Sequence, residues 1–265
     1  MNRIFAIGDL HLSFTSEKPM GIFGANWDDH HEKIEANWRR SVTDGDIVLL
    51  LGDLSWALKY EDAKADLDWI SSLPGRKVLM KGNHDLWWQS ITRLRSDYKD
   101  MLFLQNDSIV VNFCEDGSAL CEGAGLAREG EKEPSADGTG GSAGVALCGS
   151  RGWLTPQEQS FSEAADRKIY ERELIRLRLS LDDAKRKGAR HIIACLHFAP
   201  SAKQDMRSGF MDLFDEYGVD QVVYGHLHGR EAYKKGVKGY NNGVEYLLAS
   251  ADFVGFDPLC IYPRQ

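Results

Sequence analysis

Short apolar runs alternate along the chain with longer segments in which apolar residues recur every three or four positions. Continuous apolar runs are typical of strands covered on both faces, and the longer spacing is typical of amphipathic helices. The pattern predicts strands at residues 4–7, 47–51, 78–80, 192–196 and 222–224. It predicts helices at residues 29–40, 61–72, 86–96 and 156–187.

The last third of the chain is richer in strands. A turn is predicted at residues 239–243 between short strands, with further strands at 245–250 and 259–262. Strands that alternate with helices and then dominate the end of the chain predict a layered α/β fold with mixed sheets. We expect one domain over residues 1–265. Segment 115–144 is rich in Gly, Ser, Ala and Glu, so it would bury little surface, and we predict a flexible, exposed insertion there.

Composition narrows the function classes. The chain has 265 residues, of which 43% are hydrophobic and 27% charged, as in ordinary globular proteins. A net charge of −8 argues against a general nucleic-acid binder, which needs a basic face. We find no secretory signal and no apolar run of about 18 residues, so we expect no membrane partner. Five cysteines without a CxxC pair indicate reduced thiols and a cytoplasmic protein.

Polar side chains follow each of the first five predicted strands. Glycine precedes most of them, and it lets the backbone turn sharply and a ligand come close. The carboxyl ends of strands in α/β sheets are where ligand crevices form. The runs are Gly8-Asp9-Leu10-His11, Gly52-Asp53, Gly82-Asn83-His84-Asp85, His197 and Gly225-His226-Leu227-His228.

These side chains are of the types that bind metal ions. Buried imidazoles and carboxylates are unfavourable unless they are paired, and a metal ion is an efficient partner. Two aspartates, one asparagine and four histidines, with one histidine to spare, are too many for one four-coordinate Zn²⁺. Two ions that share a carboxylate, about 3.5–4 Å apart, fit the number. Mixed oxygen and nitrogen ligands suit Mn, Fe, Zn, Co or Ni, so the identity stays open.

The five runs together resemble the calcineurin-like metallophosphoesterase superfamily, in the order that this family has them, across residues 9–228. The resemblance implies a four-layer α/β/β/α sandwich with two mixed β-sheets. It implies a metal-dependent phosphohydrolase that cleaves phosphomonoesters or phosphodiesters of a small substrate such as a nucleotide. Two divalent ions per chain, with Mn, Fe and Zn as candidates, and a hydroxide that bridges them and attacks phosphorus are also implied.

The resemblance assigns a role to each polar residue of the runs. The first ion would be held by Asp9, His11 and His228. The second ion would be held by Asn83, His197 and His226, and Asp53 would bridge the two ions. His84 would protonate the leaving oxygen or stabilise charge in the transition state. Asp85 would orient the His84 ring by accepting its other N–H. Alternatively, Asp85 satisfies free N–H groups at the start of a following helix.

One departure from the superfamily bears on the substrate. Its protein Ser/Thr phosphatases carry Gly-Asp-x-Val-Asp-Arg-Gly at the second motif, whereas this chain has Ser55-Trp56-Ala57 without the arginine. Lys81, rather than arginine, precedes the third motif. These differences argue against a protein phosphatase, while the bacterial phosphohydrolase and phosphodiesterase branches tolerate them.

Residues close to the motifs are candidates for substrate binding. Trp56, Trp87 and Trp153 are expected either to pack within loops or to wall the cleft and stack on a planar group. Arg151 follows a strand, so we expect it either to contact a phosphate or to form a surface ion pair.

Two other functions remain as alternatives. A nuclease would use similar motifs, but the acidic net charge and the lack of a lysine-rich arm argue against it. A non-catalytic scaffold for protein binding would be expected to have lost ligand residues, and this chain keeps all of them. The physiological substrate, the native metals and the oligomeric state are left open.

Overall fold

Two mixed β-sheets form the centre of the molecule. The computed structural model describes residues 2–16, 18–113, 119–123 and 144–263, and its helices and strands lie in those ranges. The strands are β1 (Ile4–Ile7), β2 (Ile47–Leu50), β3 (Arg76–Leu79), β4 (Leu102–Phe103), β5 (Ser108–Phe113), β6 (Ala119–Gly123), β7 (Val145–Ser150), β8 (His191–Leu196), β9 (Gln221–Tyr224), β10 (Gly239–Asn241), β11 (Val244–Leu248) and β12 (Leu259–Tyr262). The first sheet has the order β12-β1-β2-β3-β4, and the second has the order β10-β11-β9-β8-β7-β5-β6.

The helices lie along the outer faces of the sheets. They are α1 (His30–Ser41), α2 (Tyr60–Ser72), α3 (Ile91–Asp97), α4 (Glu163–Arg186), α5 (Gly209–Tyr217) and the single turn α6 (Gly229–Ala232), with 3₁₀ turns at Met20–Phe23 and Ala25–Trp27. The N-caps of α4 and α5 are Ser162 and Ser208, whose hydroxyls accept backbone N–H bonds. None of the described helices is long and apolar enough to cross a membrane.

Three apolar clusters stack the layers on one another. Successive side chains of a strand point to opposite faces of its sheet. In β2, Val48 and Leu50 therefore pack toward α1 and α2, while Ile47 and Leu49 face the second sheet. The second sheet also has two covered faces. One face packs on α4 and α5, and the other packs on the first sheet. The resulting order helix, sheet, sheet, helix confirms the predicted α/β/β/α sandwich with two mixed sheets.

The two sheets meet along the edge where their parallel strands end. Strands β1, β2 and β3 run parallel, as do β8 and β9, so their carboxyl ends face the same side. Gly8, just after β1, donates its N–H to the carbonyl of Ala249 after β11 at 2.7 Å. The N–H of Ala251 returns a bond of 3.0 Å to the carbonyl of Gly8. The loops that carry the polar runs therefore lie on both sides of one seam.

Most predicted elements are confirmed, with four corrections. Of the turn predicted at residues 239–243, the first three residues form strand β10, and only residues 242–243 make the turn. The helix predicted at 86–96 begins only at Ile91, and the one predicted at 156–187 begins at Glu163, after the Ser162 cap. Within segment 115–144, residues 119–123 are not an insertion loop but form β6, which pairs with β5 at the edge of the second sheet. The prediction for the rest of that segment lies mainly outside the described residues. Strands β4 and β5 and helices α5 and α6 were not predicted, and β7 was expected only as a strand before Arg151, without bounds.

Candidate functional site

The strand-end loops bring six of the seven predicted ligands into two adjacent groups. Asp9, His11 and His228 form one group, and Asp53, His197 and His226 form the other. In each group the ligand atoms lie within 4.8 Å of one another. The seventh residue, Asn83, joins the second group, since its Oδ1 lies 2.8 Å from His197 Nε2.

The spacing within these groups fits metal coordination. His11 Nε2 lies 3.2 Å from His228 Nε2, and His226 Nδ1 lies 3.3 Å from His197 Nε2. Two nitrogens bound to one tetrahedral ion at ordinary bond lengths are about 3.4 Å apart. The buried Oδ1 of Asp9 has no hydrogen-bond partner among the described residues. A buried carboxylate oxygen beside imidazole nitrogens is what a cation would satisfy, so the residues fit the two-ion centre that the sequence predicts.

Asp53 lies between the two groups. Its Oδ2 is 3.3 Å from His197 Nε2 and 3.9 Å from His11 Nε2. Its other oxygen accepts the backbone N–H of His84 at 2.7 Å. One carboxylate therefore faces both groups, which is the position expected of a bridging ligand.

Hydrogen bonds fix the orientation of two imidazole rings. His197 Nδ1 is 2.9 Å from the carbonyl oxygen of Leu51. Because a carbonyl can only accept, Nδ1 carries the proton and Nε2 turns toward Asn83 and Asp53. His228 Nδ1 is 3.0 Å from Asp252 Oδ1, which leaves His228 Nε2 directed at the first group.

Asp252 is a residue of the site that the sequence prediction missed. Its second oxygen accepts the backbone N–H of Gly229 at 3.1 Å, so it holds both the ring of His228 and the chain that follows it. A signal was available: Asp252 follows the predicted strand 245–250 by two residues, in the same position as the ligands after other strands.

Burial and charge act against each other in the site. Burial lowers the pKa of both His11 and His226 to about 3. Burial also disfavours the charged forms of the other two rings, but neighbouring carboxylates outweigh it. The pKa of His197 is raised to about 9, chiefly by Asp53, and that of His228 to about 10, chiefly by Asp9. The two buried carboxylates, Asp9 and Asp53, therefore favour positive charge beside them, which imidazolium groups or metal ions can supply.

Four ligand residues adopt a left-handed backbone conformation. The φ angles are +60° at Asp9, +45° at His11, +51° at Asp53 and +72° at His226. Residues other than glycine rarely adopt this region, and they concentrate at functional sites where surrounding structure enforces it.

Two glycines permit the loops to cross closely. A Cβ on Gly82 would lie 2.1 Å from Asp53 Oδ1, and a Cβ on Gly52 would lie 2.5 Å from Gly82 N. The second and third motifs touch through their backbones at this point. Any side chain there would push Asp53 away from the two ligand groups.

Asp85 has a different role from the one expected. It is fully buried, and its carboxylate accepts the backbone N–H groups of Asp53, Leu54 and Gly82 at 2.8, 2.9 and 2.8 Å. It also accepts the indole N–H of Trp87 at 3.0 Å. The expected bond to the His84 ring is absent among the described residues, and the helix that follows Asp85 in the described chain, α3, begins only at Ile91. Asp85 instead ties the second and third motifs together.

His84 is the exposed member of the site. Its ring centroid lies 5.8 Å from the ring of His11 and 4.5 Å from that of Trp56. Its backbone N–H is anchored on Asp53, so the residue keeps a fixed position relative to the bridging carboxylate. The side chain can therefore reach a substrate placed over the two ligand groups.

The comparison with protein families agrees with this geometry. The family model described as calcineurin-like phosphoesterase matches residues 2–230, which include all seven predicted ligands. The chain belongs to the calcineurin-like phosphoesterase family. The resemblance predicted from the five motifs is thereby confirmed.

Curated relatives of this chain are distant. The uncharacterized protein MJ1445 of Methanocaldococcus jannaschii is 30% identical over 114 residues, which are 41% of this chain and 61% of that protein. The Gene 66 protein of Mycobacterium phage L5 is 32% identical over 85 residues, 32% of this chain and 41% of its own length. The chain thus spans less than two thirds of these relatives. Among solved structures, protein AQ665 of Aquifex aeolicus is 14% identical to this chain, with a TM-score of 0.48. The superposition covers 98% of this chain and 95% of the AQ665 chain.

The tryptophans near the motifs differ in exposure. Trp87 is completely buried, which agrees with the first of its two expected roles, packing within a loop, and not with walling the cleft. Trp56 is half-buried, and one face stacks on His11 with 4.6 Å between ring centroids. Trp153 is half-buried, donates its indole N–H to Asp166 at 2.9 Å and lies 5.0 Å from the ring of Phe198.

Arg151 lies beside the second ligand group. Its carbonyl accepts the backbone N–H groups of His197 and Phe198, both at 3.1 Å. Its guanidinium is 4.5 Å from the ring centroid of Trp153 and 3.9 Å from Glu173 Oε1. The side chain is only 18% exposed, so its ion pair does not lie out on the open surface.

Proposed function

We propose that this calcineurin-like phosphoesterase hydrolyses phosphomonoesters or phosphodiesters of a small molecule, with two divalent metal ions held between its two sheets. The observation that carries the proposal is the position of Asp53, whose Oδ2 faces both the His11 and the His197 groups. Asp9, His11 and His228 would hold the first ion, Asn83, His197 and His226 the second, and Asp53 would bridge them. Ions of this kind polarise phosphoryl oxygens and lower the pKa of water at neutral pH.

Residues of the chain are assigned to position the substrate and to donate a proton to the leaving group. His84, exposed at the opening of the site, is assigned to donate a proton to the oxygen that leaves phosphorus. Trp56 flanks His84 and gives the leaving group an apolar surface on that side. Arg151 lies next to His197 with its guanidinium over the ring of Trp153, where it can bind a phosphate oxygen.

A small substrate agrees with the charge of the chain. The net charge is −8, and a polynucleotide would meet general repulsion outside the immediate surroundings of the site. Nucleotides and similar phosphoesters need only local positive charge, and the ions and Arg151 would supply it.

Hydrolysis and metal content test the proposal directly. Protein purified without chelator is assayed on p-nitrophenyl phosphate and bis-p-nitrophenyl phosphate with Mn²⁺, Fe²⁺ or Zn²⁺, and its bound metal is measured. We expect activity with at least one ion. Asp53→Asn should lower kcat at least about 10³-fold and reduce bound metal. His84→Ala should lower kcat by about 10²–10⁴-fold while bound metal stays within a few per cent of the wild type.

His191→Ala is a matched control for His84→Ala. His191 begins β8, at the opposite end of the strand from His197, and its ring is paired with Asp220 at 3.3 Å. This variant should keep both activity and metal content. Loss of metal together with activity in His84→Ala would contradict the role given to His84. Wild-type protein that binds no transition metal and hydrolyses neither ester would contradict the proposed function.

A further inference from the structure

Three guanidinium groups converge on one oxygen of a single buried carboxylate. Glu173 of α4 is fully buried, and its Oε1 lies 2.9 Å from Arg176 Nη1, 3.3 Å from Arg172 Nη2 and 3.9 Å from Arg151 Nη2. Its other oxygen, Oε2, is buried and has no hydrogen-bond partner among the described residues. One carboxylate balances only one of these three charges.

Lys81 adds a fourth cation. Lys81 is half-buried, and the positive charges of Arg151 and Arg176 lie close enough to act on its ammonium group. Within the ranges that the structure describes, Lys81 makes no hydrogen bond and no ion pair. We call Lys81, Arg151, Arg172 and Arg176 the basic cluster.

The acidic residues near the basic cluster do not offset its charge. Apart from Glu173, the carboxylates that act most strongly on Lys81 and Arg151 are Asp85 and Asp53. Asp53 faces the two ligand groups, and Asp85 is occupied by backbone N–H groups. An excess of positive charge therefore remains in a chain whose net charge is −8. Arg151 Nε is also buried without a hydrogen-bond partner among the described residues.

The basic cluster adjoins the second ligand group. Arg151 is bonded through its carbonyl to the backbone of His197. Lys81 precedes Asn83 by two residues in the same motif loop. An anion held by these two side chains would lie next to the phosphoester that the metal centre is proposed to bind. Both groups would then belong to one molecule.

We propose that the basic cluster binds a second phosphate of the substrate, so that the preferred substrates carry a phosphate in addition to the ester that is cleaved. Planar guanidinium groups match phosphate oxygens in a two-pronged geometry, and a partly buried position strengthens such bonds. The half-exposed Arg172 and Arg176, at 49% and 39%, leave the outer side of the cluster open to a ligand. This inference rests on the proposed function.

A series of matched substrates tests the inference without assuming a base or sugar. The α,ω-bisphosphates of linear diols with two to six carbons are compared with the monophosphates of the same diols, at constant free metal. At least one bisphosphate should exceed its monophosphate by tenfold or more in kcat/KM, chiefly through KM. A gain of no more than twofold throughout the series, the factor expected from having two equivalent esters, would overturn the inference.

Variants of the basic cluster locate the effect. Arg176→Gln and Lys81→Gln should each lower the ratio of bisphosphate to monophosphate kcat/KM at least fivefold. Lys81→Gln loses no described contact, so it keeps the test available if Arg176→Gln fails to fold. Arg178→Gln is the matched control, because Arg178 lies on the same helix but pairs with Glu216 at 2.6 Å. An unchanged ratio in both cluster variants would also overturn the inference.

Activity on p-nitrophenyl phosphate separates the two proposals. If the wild type hydrolyses this monoester but shows no preference for bisphosphates, only the inference about the basic cluster fails. If the wild type hydrolyses no phosphoester with any of the three metals, the proposed function fails, and the inference fails with it.

Discussion

At the scale of single residues, the site depends on groups that never touch a substrate. His228 is oriented by the carboxylate of Asp252, and His197 is oriented by the carbonyl of Leu51. Partners of this kind fix which nitrogen faces a metal ion and raise the basicity of the ring. The ligand set alone is therefore an incomplete description of the centre.

Replacing Asp252 should weaken metal binding while leaving the chemistry intact. In Asp252→Asn the carboxylate becomes an amide of the same shape, and the bond to His228 Nδ1 loses its charge. We expect metal affinity to fall by about 10–100-fold, with kcat at saturating metal within about threefold of the wild type. Metal titration followed by assays at saturating metal measures both quantities.

Asp257→Asn provides the control for this substitution. Asp257 is 38% exposed and pairs with Arg40, away from the ligand groups. Metal affinity should be unchanged in that variant. If Asp252→Asn binds metal as tightly as the wild type does, Asp252 has no role in orienting His228.

The sequence predicted the residues of the site better than their contacts. All seven predicted ligands meet, because each follows a strand whose end lies on the shared edge. Asp85 was assigned to its neighbour in sequence, but its side chain turns toward the preceding motif and accepts the backbone N–H groups of Asp53 and Leu54. The carbonyl of Leu51 could not be predicted, because every residue has a carbonyl and only the packing of the two sheets brings this one to His197.

At the scale of elements, one carboxylate joins the end of helix α4 to the start of strand β5. Asp183 accepts both the N–H and the hydroxyl of Ser108, at 2.8 and 2.7 Å. It also pairs with Lys187 at 2.5 Å and with Arg186. These bonds fix where the long helix lies on the second sheet.

Stability should therefore depend on the ionisation of Asp183. Burial would raise its pKa, but the bonds from Lys187 and Ser108 outweigh burial and lower the pKa from 3.8 to about 2. Because the folded pKa is the lower one, the stabilisation is complete above pH about 4 and is lost as pH falls from about 4 to 2. Asp183→Asn should lower the free energy of unfolding at pH 7 by about 1–2 kcal/mol, a range reduced for partial exposure.

Urea unfolding of both proteins at pH 7 and pH 2.5 measures this effect. The difference between wild type and Asp183→Asn should be clearly smaller at the lower pH. A difference that is the same at both values would show that the charge of Asp183 does not stabilise the fold.

Elements were predicted where the apolar pattern was long or continuous. Strand β4 has two residues and helix α5 has nine, too few for a clear period. Strand β6 is short and lies within a Gly- and Ser-rich segment, so its composition obscured a pairing that only β5 provides. The helix predicted at 156–187 was too long, because the capping hydroxyl of Ser162 decides where α4 begins.

At the scale of the whole molecule, the centre lies on the seam between the two sheets. Asp9, Asp53 and Asn83 follow strands of the first sheet, whereas His197 and His226 follow strands of the second. Neither sheet alone offers a complete set of ligands. We therefore expect metal binding and the docking of the two sheets to be coupled.

Metal ions should stabilise the folded chain measurably. A ligand that binds only the folded state at a hundred times its Kd adds about 2.7 kcal/mol, which corresponds to about 5–10 °C in Tm for a chain of this size. Thermal unfolding with excess chelator and with Mn²⁺ or Zn²⁺ measures the shift. Asp53→Asn, which removes the bridging charge, should lose most of it. A wild-type Tm that is independent of both metals and chelator would contradict the coupling.

The left-handed backbone at Asp9, His11, Asp53 and His226 has a consequence for how this site can be lost. Each such residue disfavours the folded state by about 1 kcal/mol or more, so these positions oppose folding even as they assemble the ligands. Glycine would relieve that opposition at each of them. Chains in which glycine has replaced these ligands would therefore be expected to keep the same fold and its stability while they lose activity.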